Sequence, residues 1–159
     1  MPAKISAGLL LYRVRDGSPE VLVVHPGGPF WAKKDLGAWF LPKGEIVAGE
    51  EPLAAAHREF AEELGSPAPA GDTIPLGTVK HKTGKTVHCW ALAGDFDVAS
   101  LRSNTFSLEW PPRSGQKREF PEIDRAKWVD FAEAARIMHP AESAFVTRLA
   151  EHLLRLTAT

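Results

Sequence analysis

The sequence has a single cysteine, Cys89, in 159 residues. One thiol excludes an internal disulfide, and it also excludes a zinc site built from several cysteines. No apolar run approaches the roughly 18 residues that span a bilayer, so no transmembrane helix is expected. The N-terminal stretch lacks a small-residue cleavage site and continues into Arg13 and Arg15, which indicates a strand rather than a signal peptide. These absences together predict a cytoplasmic protein.

The sequence also lacks a large excess of positive or negative charge. It contains 19 Lys and Arg residues and 20 Asp and Glu residues, so the net charge is -1. No global basic field is present to attract nucleic acid, and neither nucleic acid nor a membrane is expected as a partner. An anionic ligand would have to be held by a local cluster or by a metal ion. The composition, 44% hydrophobic and 25% charged, is that of a globular protein, and the length predicts one domain over residues 1–159.

Strand and helix patterns alternate along the chain without a long linker between them. Apolar, β-rich segments predict strands at 5–14, 20–25, 38–41, 73–80, 86–93 and 127–131. Helical spacing of apolar residues predicts helices at 51–64, 132–138 and 141–156. The region 95–123 is interrupted by Pro111, Pro112 and Gly115, and it contains one candidate strand, at 105–110. This mixture predicts an α+β fold in which a mixed sheet is covered by helices on its faces.

Two of the predicted helices have an apolar face that would pack on the sheet. In the first helix this face consists of Leu53, Ala56, Phe60 and Leu64. In the last helix it consists of Phe145, Leu149, Leu153 and Leu156. Pro52 and Gly65 mark the two ends of the first helix, because proline is tolerated in the first turn and glycine commonly follows the last one.

The most informative feature of the first helix is a group of three acids. Glu59, Glu62 and Glu63 stand at positions i, i+3 and i+4, so they share one sector of the helix. Like charges at this spacing repel by about 0.2–0.5 kcal/mol per pair, and the C-terminal end of the helix dipole disfavours them further. A hard divalent cation such as Mg²⁺ or Mn²⁺ would reverse this balance, because it binds several carboxylate oxygens. The alternative is a solvated acidic face on which Arg58 pairs with Glu62.

The three acids belong to a longer ordered pattern that starts at Gly44. It resembles the signature of the Nudix hydrolases, G-x5-E-x7-R-E-U-x-E-E-x-G-U, in which U is a bulky aliphatic or aromatic residue. All of its fixed residue types are present, from Gly44 through Glu50 and Arg58 to Gly65. Phe60 occupies the first U position, whereas Ser66 departs from the second. The segments 38–45 and 121–131 are also similar to the strand before the signature and to the late loop and strand of that family.

The resemblance implies a Nudix-type α/β/α sandwich and the hydrolysis of a phosphoanhydride bond in a nucleoside diphosphate derivative, with Mg²⁺ or Mn²⁺ as the cofactor. It assigns the metal to four groups, the carboxylates of Glu59, Glu62 and Glu63 and the carbonyl of Gly44. It counts Glu62, Glu63 and Arg58 as catalytic, and Arg58 with Glu50 would orient the carboxylates of the helix. The alternative for Arg58 and Glu50 is a structural ion pair that closes the loop on the helix.

The general base has two candidates under this resemblance. Members of the family take it either from the signature, which here offers Glu63, or from a late loop, which offers Glu122. Glu122 lies close to the predicted strand at 127–131. The alternative for Glu122 is a solvated acid on a loop.

The substrate contacts are expected around the segment that leads into the signature. Lys43, beside Gly44, and the loop residues Lys33 and Lys34 are candidate phosphate contacts, and a solvated loop lysine is the alternative for Lys43. Trp31 and Trp39 are candidates to stack a nucleobase, a contact worth about 1–3 kcal/mol. Core packing is the favoured interpretation for Trp39, Trp90 and Trp128.

Three functions fit these residues. The first is a pyrophosphohydrolase of nucleoside triphosphates or similar small nucleotides. The run from Trp39 to Gly44 also resembles the W-x-x-P-K-G of diadenosine tetraphosphate hydrolases and their messenger-RNA-decapping relatives, so dinucleoside polyphosphates are the second. A nucleotide-sensing domain without turnover is the third, and the intact acids argue against it. The sequence does not decide which nucleobase the substrate carries, which group is linked to its nucleoside diphosphate, or whether the protein forms a homodimer.

Overall fold

Eight strands and three α-helices make up the part of the chain that the computed structural model describes, residues 4–157. The strands are β1 (Ile5–Arg15), β2 (Ser18–Pro26), β3 (Lys43–Glu45), β4 (Thr73–Lys80), β5 (Thr86–Ala93), β6 (Thr105–Glu109), β7 (Lys117–Pro121) and β8 (Ile123–Asp130). The helices are α1 (Pro52–Leu64), α2 (Phe131–Ile137) and α3 (Pro140–Thr157), and a short 3₁₀ turn spans Val98–Ser100.

Six of the strands form one mixed sheet, in the order β4-β5-β1-β2-β8 with β3 beside β1. β1 runs antiparallel to β2 and parallel to β5, which makes it the central strand. β3 is antiparallel to the first half of β1, with Gly44 opposite Ala7. This pairing ties Gly44 to the middle of the sheet.

The central strands are apolar on both faces because helices cover both. On one face, α1 contributes Phe60 and Leu64 to a core that also contains Leu9, Leu11 and Leu22. On the other face, α3 contributes Phe145 and Leu149 to a core that also contains Leu10 and Val23. The predicted α/β/α sandwich with a mixed sheet is therefore confirmed. No helix within residues 4–157 is long and apolar enough to cross a membrane.

Within the region 95–123, where the sequence predicts one strand, β6 and β7 form a separate antiparallel hairpin. Its base packs on the loop after β2, where Gly27 lies against the Pro121 carbonyl and Gly28 lies against the Phe106 ring, with no room for a Cβ at either glycine. The sequence did not indicate β7, because its first three residues, Lys117 to Glu119, are charged and exposed and show no apolar alternation.

The boundaries differ most from the sequence-based prediction in two places, and the other predicted strands and helices begin and end within two residues of their predicted limits. Residues 38–41 form isolated bridges at Trp39 and Phe40 rather than a strand, and the strand follows Pro42 as β3. The last strand begins earlier than predicted, at Ile123. Phe131 belongs to α2 instead of to this strand, because the Asp130 side chain caps the helix by accepting a hydrogen bond from the Glu133 N–H.

The apolar face predicted for the last helix was wrong at its C-terminal end. Leu156 is 59% exposed, whereas Val146, which the prediction omitted, is buried. Apolar spacing continues past the part of α3 that packs on the core, and that packing ends at the partly buried Leu153.

Candidate functional site

Helix α1 presents the three acids because the neighbouring sector of the helix is fixed in the core. Ala56, Phe60 and Leu64 are fully buried against the sheet. Pro52 opens the helix, and Gly65 ends it in the left-handed conformation at φ 83°, donating its N–H to the Ala61 carbonyl. The sector that carries Glu59, Glu62 and Glu63 is thereby turned towards the loop between β3 and α1.

Arg58 joins these acids to that loop. Its guanidinium makes two bonds to Glu50, from Nε to Oε2 at 2.7 Å and from Nη2 to Oε1 at 3.0 Å, and Nη2 also donates to the Glu45 carbonyl at 3.0 Å. The bonds from Arg58 and from the Val47 N–H lower the pKa of Glu50. The ion pair that closes the loop on the helix is therefore present.

The same guanidinium also binds two of the acids. Nη1 of Arg58 lies 2.7 Å from Oε1 of Glu59 and 3.2 Å from Oε2 of Glu62. One positive charge thus stands between two carboxylates that would otherwise repel each other. The predicted convergence of Glu59 and Glu62 is observed, with Arg58 as the cation between them.

Glu59 also meets the backbone of Gly44. A Cβ built at Gly44 would overlap the Glu59 carboxyl group, so no larger residue fits at position 44 without displacing that carboxylate. The Glu59 side chain is 15% exposed. Burial raises its pKa, and the neighbouring Arg58 opposes that rise. Gly44 and Glu59, two of the predicted metal ligands, are therefore in contact.

Glu63 faces a different space from Glu59 and Glu62. Its Oε1 accepts the Lys43 backbone N–H at 3.0 Å. Burial raises the pKa of Glu63 to about 8, with the Lys43 charge opposing this and the negative charges of Glu59 and Glu122 adding to it. Burial thus favours the protonated form of the Glu63 carboxyl when no cation is bound.

An open cleft of about 200 Å³ lies beside Glu63. Its walls are formed by Val24, Pro26, Trp31, Phe40, Leu41, Lys43, Glu63, Glu122 and Ile123. The structure thus brings together both candidate bases, Glu63 and Glu122, with Lys43 and Trp31. The aromatic rings of Trp31 and Phe40 meet edge to face, with their centroids 5.6 Å apart.

Three of the predicted substrate contacts lie elsewhere. Lys33 and Lys34 are exposed and do not line the cleft. The Lys34 ammonium lies 5.1 Å from the centre of the Trp31 ring, and the Lys34 carbonyl is 2.7 Å from the buried His25 ring. Trp39 is 2% exposed and donates from Nε1 to Asp35, so it packs in the core as the favoured interpretation held.

Lys43 has a partner that the sequence did not indicate. Its ammonium lies 2.9 Å from Oε2 of Glu142, a fully buried residue in the first turn of α3. An acid near a helix N-terminus is common, because it complements the helix dipole, so nothing in the pattern marked Glu142 as a neighbour of the cleft. Phe40 was missed for a similar reason, since an aromatic residue in an apolar run indicates core packing.

Residues 4–157 contain no group of three or more His, Cys, Asp or Glu side chains arranged to hold a metal ion as they stand. Two of the predicted ligands, Glu59 and Glu62, are instead bound to Arg58, and the third, Glu63, is bound to the Lys43 N–H. The chemistry of the set nevertheless suits a hard cation, because it consists of carboxylate and carbonyl oxygens. Glu59 binds Arg58 through Oε1, and a carboxylate has further lone pairs with which it can also bind a cation.

Known proteins resemble this chain in sequence and in fold. The family model of the NUDIX domain matches residues 3–149. An RNA pyrophosphohydrolase of Brucella anthropi is 28% identical over 144 residues, which cover 76% of this chain and 78% of that protein.

Solved structures share the fold. A C. elegans Ap4A hydrolase in a binary complex aligns with a TM-score of 0.67 at 22% identity, over 94% of this chain and 98% of that one. The NUDIX domain of Shewanella oneidensis NrtR, complexed with ADP ribose, aligns with a TM-score of 0.67 at 17% identity, over 96% and 90% of the two chains.

Proposed function

Because the chain belongs to the Nudix family, we propose that it is a hydrolase that cleaves a phosphoanhydride bond of a nucleoside diphosphate derivative with the help of Mg²⁺ or Mn²⁺. One observation carries the proposal. The helix α1 holds Glu59 beside Gly44 and Glu62 beside Arg58, and it holds Glu63 on the wall of a cleft that Glu122, Lys43 and Trp31 also line.

The residues present fit a divalent cation. Glu59, Glu62 and Glu63 would bind it together with the Gly44 carbonyl, and the close contact of Glu59 with Gly44 is the observed part of that set. When bound, Mg²⁺ or Mn²⁺ would neutralise charge on the phosphate oxygens and activate a water molecule. Arg58, anchored by its two bonds to Glu50, would orient the carboxylates of Glu59 and Glu62 through its bonds to them.

The remaining side chains of the cleft have separate tasks. Trp31 and Phe40 offer apolar rings against which a nucleobase can stack. Lys43 places an ammonium beside the cleft for a phosphate oxygen. Glu63 and Glu122 face the same space, and either is placed to take a proton from the attacking water.

The substrate is proposed at the level of the class. A small nucleotide, such as a nucleoside triphosphate, is proposed because two aromatic rings and Lys43 line the cleft. A dinucleoside polyphosphate is the alternative, supported by the W-x-x-P-K-G run from Trp39 to Gly44. A 5′-triphosphorylated RNA is a further substrate to test, because the relative from Brucella anthropi is an RNA pyrophosphohydrolase.

A product screen tests the proposal. Purified protein with Mg²⁺ is offered nucleoside triphosphates, dinucleoside polyphosphates, nucleotide sugars, dinucleotide cofactors and triphosphorylated RNA, and the products are separated by chromatography. We expect turnover of at least one class and its loss in Glu62→Gln. Glu151→Gln, on the exposed surface of α3, is the matched control and should keep full activity. Activity in Glu62→Gln equal to that of the wild type would refute the proposed metal site.

A further inference from the structure

Glu142 is a charged residue in an unusual place, because its side chain is completely buried. An ionised carboxylate without partners would lose several kcal/mol on leaving water. Glu142 has three partners: the Leu41 N–H at 3.0 Å, the Lys43 ammonium at 2.9 Å and Nε2 of His81 at 3.0 Å. Burial pushes the pKa of Glu142 upwards, but Lys43 and the hydrogen bonds outweigh it, so that the pKa lies below its usual value.

Two of these partners belong to the segment that leads into the proposed metal site. Leu41 and Lys43 both line the cleft, and the Lys43 backbone N–H binds Glu63. The carboxylate of Glu142 uses one oxygen for the backbone of this segment and the other for the ammonium at the end of its lysine. A residue far along the chain thus fixes both the path of the segment and the position of the Lys43 charge.

The Lys43 ammonium is held from a second side as well. It lies 4.5 Å from the centre of the Phe40 ring, which is within the range of a cation–π contact. The Lys43 side chain is 12% exposed, so the ammonium keeps little contact with water. A lysine on a flexible stem would otherwise sample many positions, and immobilising it removes that entropy before a phosphate arrives.

We propose that Glu142 is a positioning residue, which holds the Lys43 ammonium and the backbone of Leu41 to Lys43 in the geometry that the cleft requires. The inference rests on the proposed function for the role of Lys43 towards a phosphate. The tie between Glu142 and Lys43 itself does not depend on any substrate, so it can be measured separately.

The first measurement is the chemical reactivity of Lys43. The intact protein is treated briefly with an amine-acylating reagent, and the labelling of Lys43 is quantified by mass spectrometry in the wild type, in Glu142→Gln and in the control Glu151→Gln. We expect severalfold faster labelling of Lys43 in Glu142→Gln alone. Equal labelling in all three proteins would overturn the inference even if the enzyme is active, and the result stands even if no substrate is found.

The second measurement is a double-mutant cycle on kcat/KM with the substrate identified by the screen. Loss of a side chain that orients a ligand typically costs about 10- to 100-fold in activity, and we expect this for Glu142→Gln. If Glu142 acts through Lys43, its substitution should cost little more once Lys43→Gln is present. Fully additive losses would overturn the inference, because a merely structural role would affect both backgrounds equally.

Urea unfolding of each variant shows whether the fold survives. Should Glu142→Gln fail to fold, Glu142→Asp takes its place in both measurements, because it retains the charge while withdrawing the carboxylate by one carbon. Faster labelling of Lys43 in folded Glu142→Asp supports the inference, and unchanged labelling overturns it.

Discussion

The raised pKa of Glu63 predicts that this carboxyl group destabilises the protein at alkaline pH when no cation is bound. A rise from 4.5 to about 8 means that the folded state binds the proton more tightly than the unfolded state. The favourable contribution is complete below pH 4.5 and disappears as the pH rises through about 8. At about 1.4 kcal/mol per pKa unit, the shift corresponds to at most about 5 kcal/mol.

Replacement of Glu63 by glutamine should remove this penalty. The amide keeps the acceptor for the Lys43 N–H and carries no charge at any pH. Because the Glu63 side chain is only partly buried, water in the cleft screens it, and we expect Glu63→Gln to be more stable than the wild type by about 1–3 kcal/mol at pH 9. Near pH 4 the two proteins should have similar stability, since both side chains are then neutral.

Urea unfolding followed by tryptophan fluorescence, with a chelator present, measures the difference. Glu62→Gln is the matched control, because the Glu62 side chain is 47% exposed and a charge there should cost little. A wild type that is as stable as Glu63→Gln at pH 9, or a gain of the same size in Glu62→Gln, would refute the reasoning.

Three further predictions follow from the same structure. Gly44→Ala should reduce kcat/KM by at least about tenfold with a stability loss under about 1 kcal/mol, because the new Cβ displaces the end of a side chain, that of Glu59, rather than backbone; a large loss of stability in urea would contradict this. Phe60→Ala should cost about 3–5 kcal/mol in urea, because the ring is fully buried, and a loss below 1 kcal/mol would be incompatible with that burial. Trp31→Ala should raise KM about tenfold with little change in kcat, as expected for a lost stacking contact of about 1–3 kcal/mol, whereas an unchanged KM would remove Trp31 from the substrate site.

Most of the fold could be predicted because the central elements have strong local patterns. β1 is a continuous apolar run that includes the buried Leu10, whereas α1 buries apolar positions at helical spacing, such as Phe60, and has cap residues at its ends. The hairpin of β6 and β7 was largely missed, because it lies outside the main sheet and owes its position to close contacts at Gly27 and Gly28. Contacts of that kind are tertiary, and no local pattern reveals them.

The candidate site could be predicted where it lies on one helix. The spacing of Glu59, Glu62 and Glu63 already implied a shared sector, and the loop between Gly44 and Arg58 followed from the family signature. The sequence offered the pair of Arg58 with Glu62 as an alternative, but it could not show that Arg58 also binds Glu59, or that Glu142 reaches Lys43 from a position 99 residues further along the chain. Partners that are distant in sequence meet only through the packing of α3 on the sheet.

The central claim is that the acids of α1 bind a divalent cation, and isothermal titration calorimetry tests it most directly. Mg²⁺ and Mn²⁺ are titrated separately into the wild type, Glu59→Gln and Glu151→Gln at about pH 8, where Glu63 can release its proton. We expect saturable uptake by the wild type and by Glu151→Gln, with affinity at least about tenfold weaker in Glu59→Gln. Absence of uptake at millimolar concentrations of either cation, or equal affinity in all three proteins, would contradict the claim.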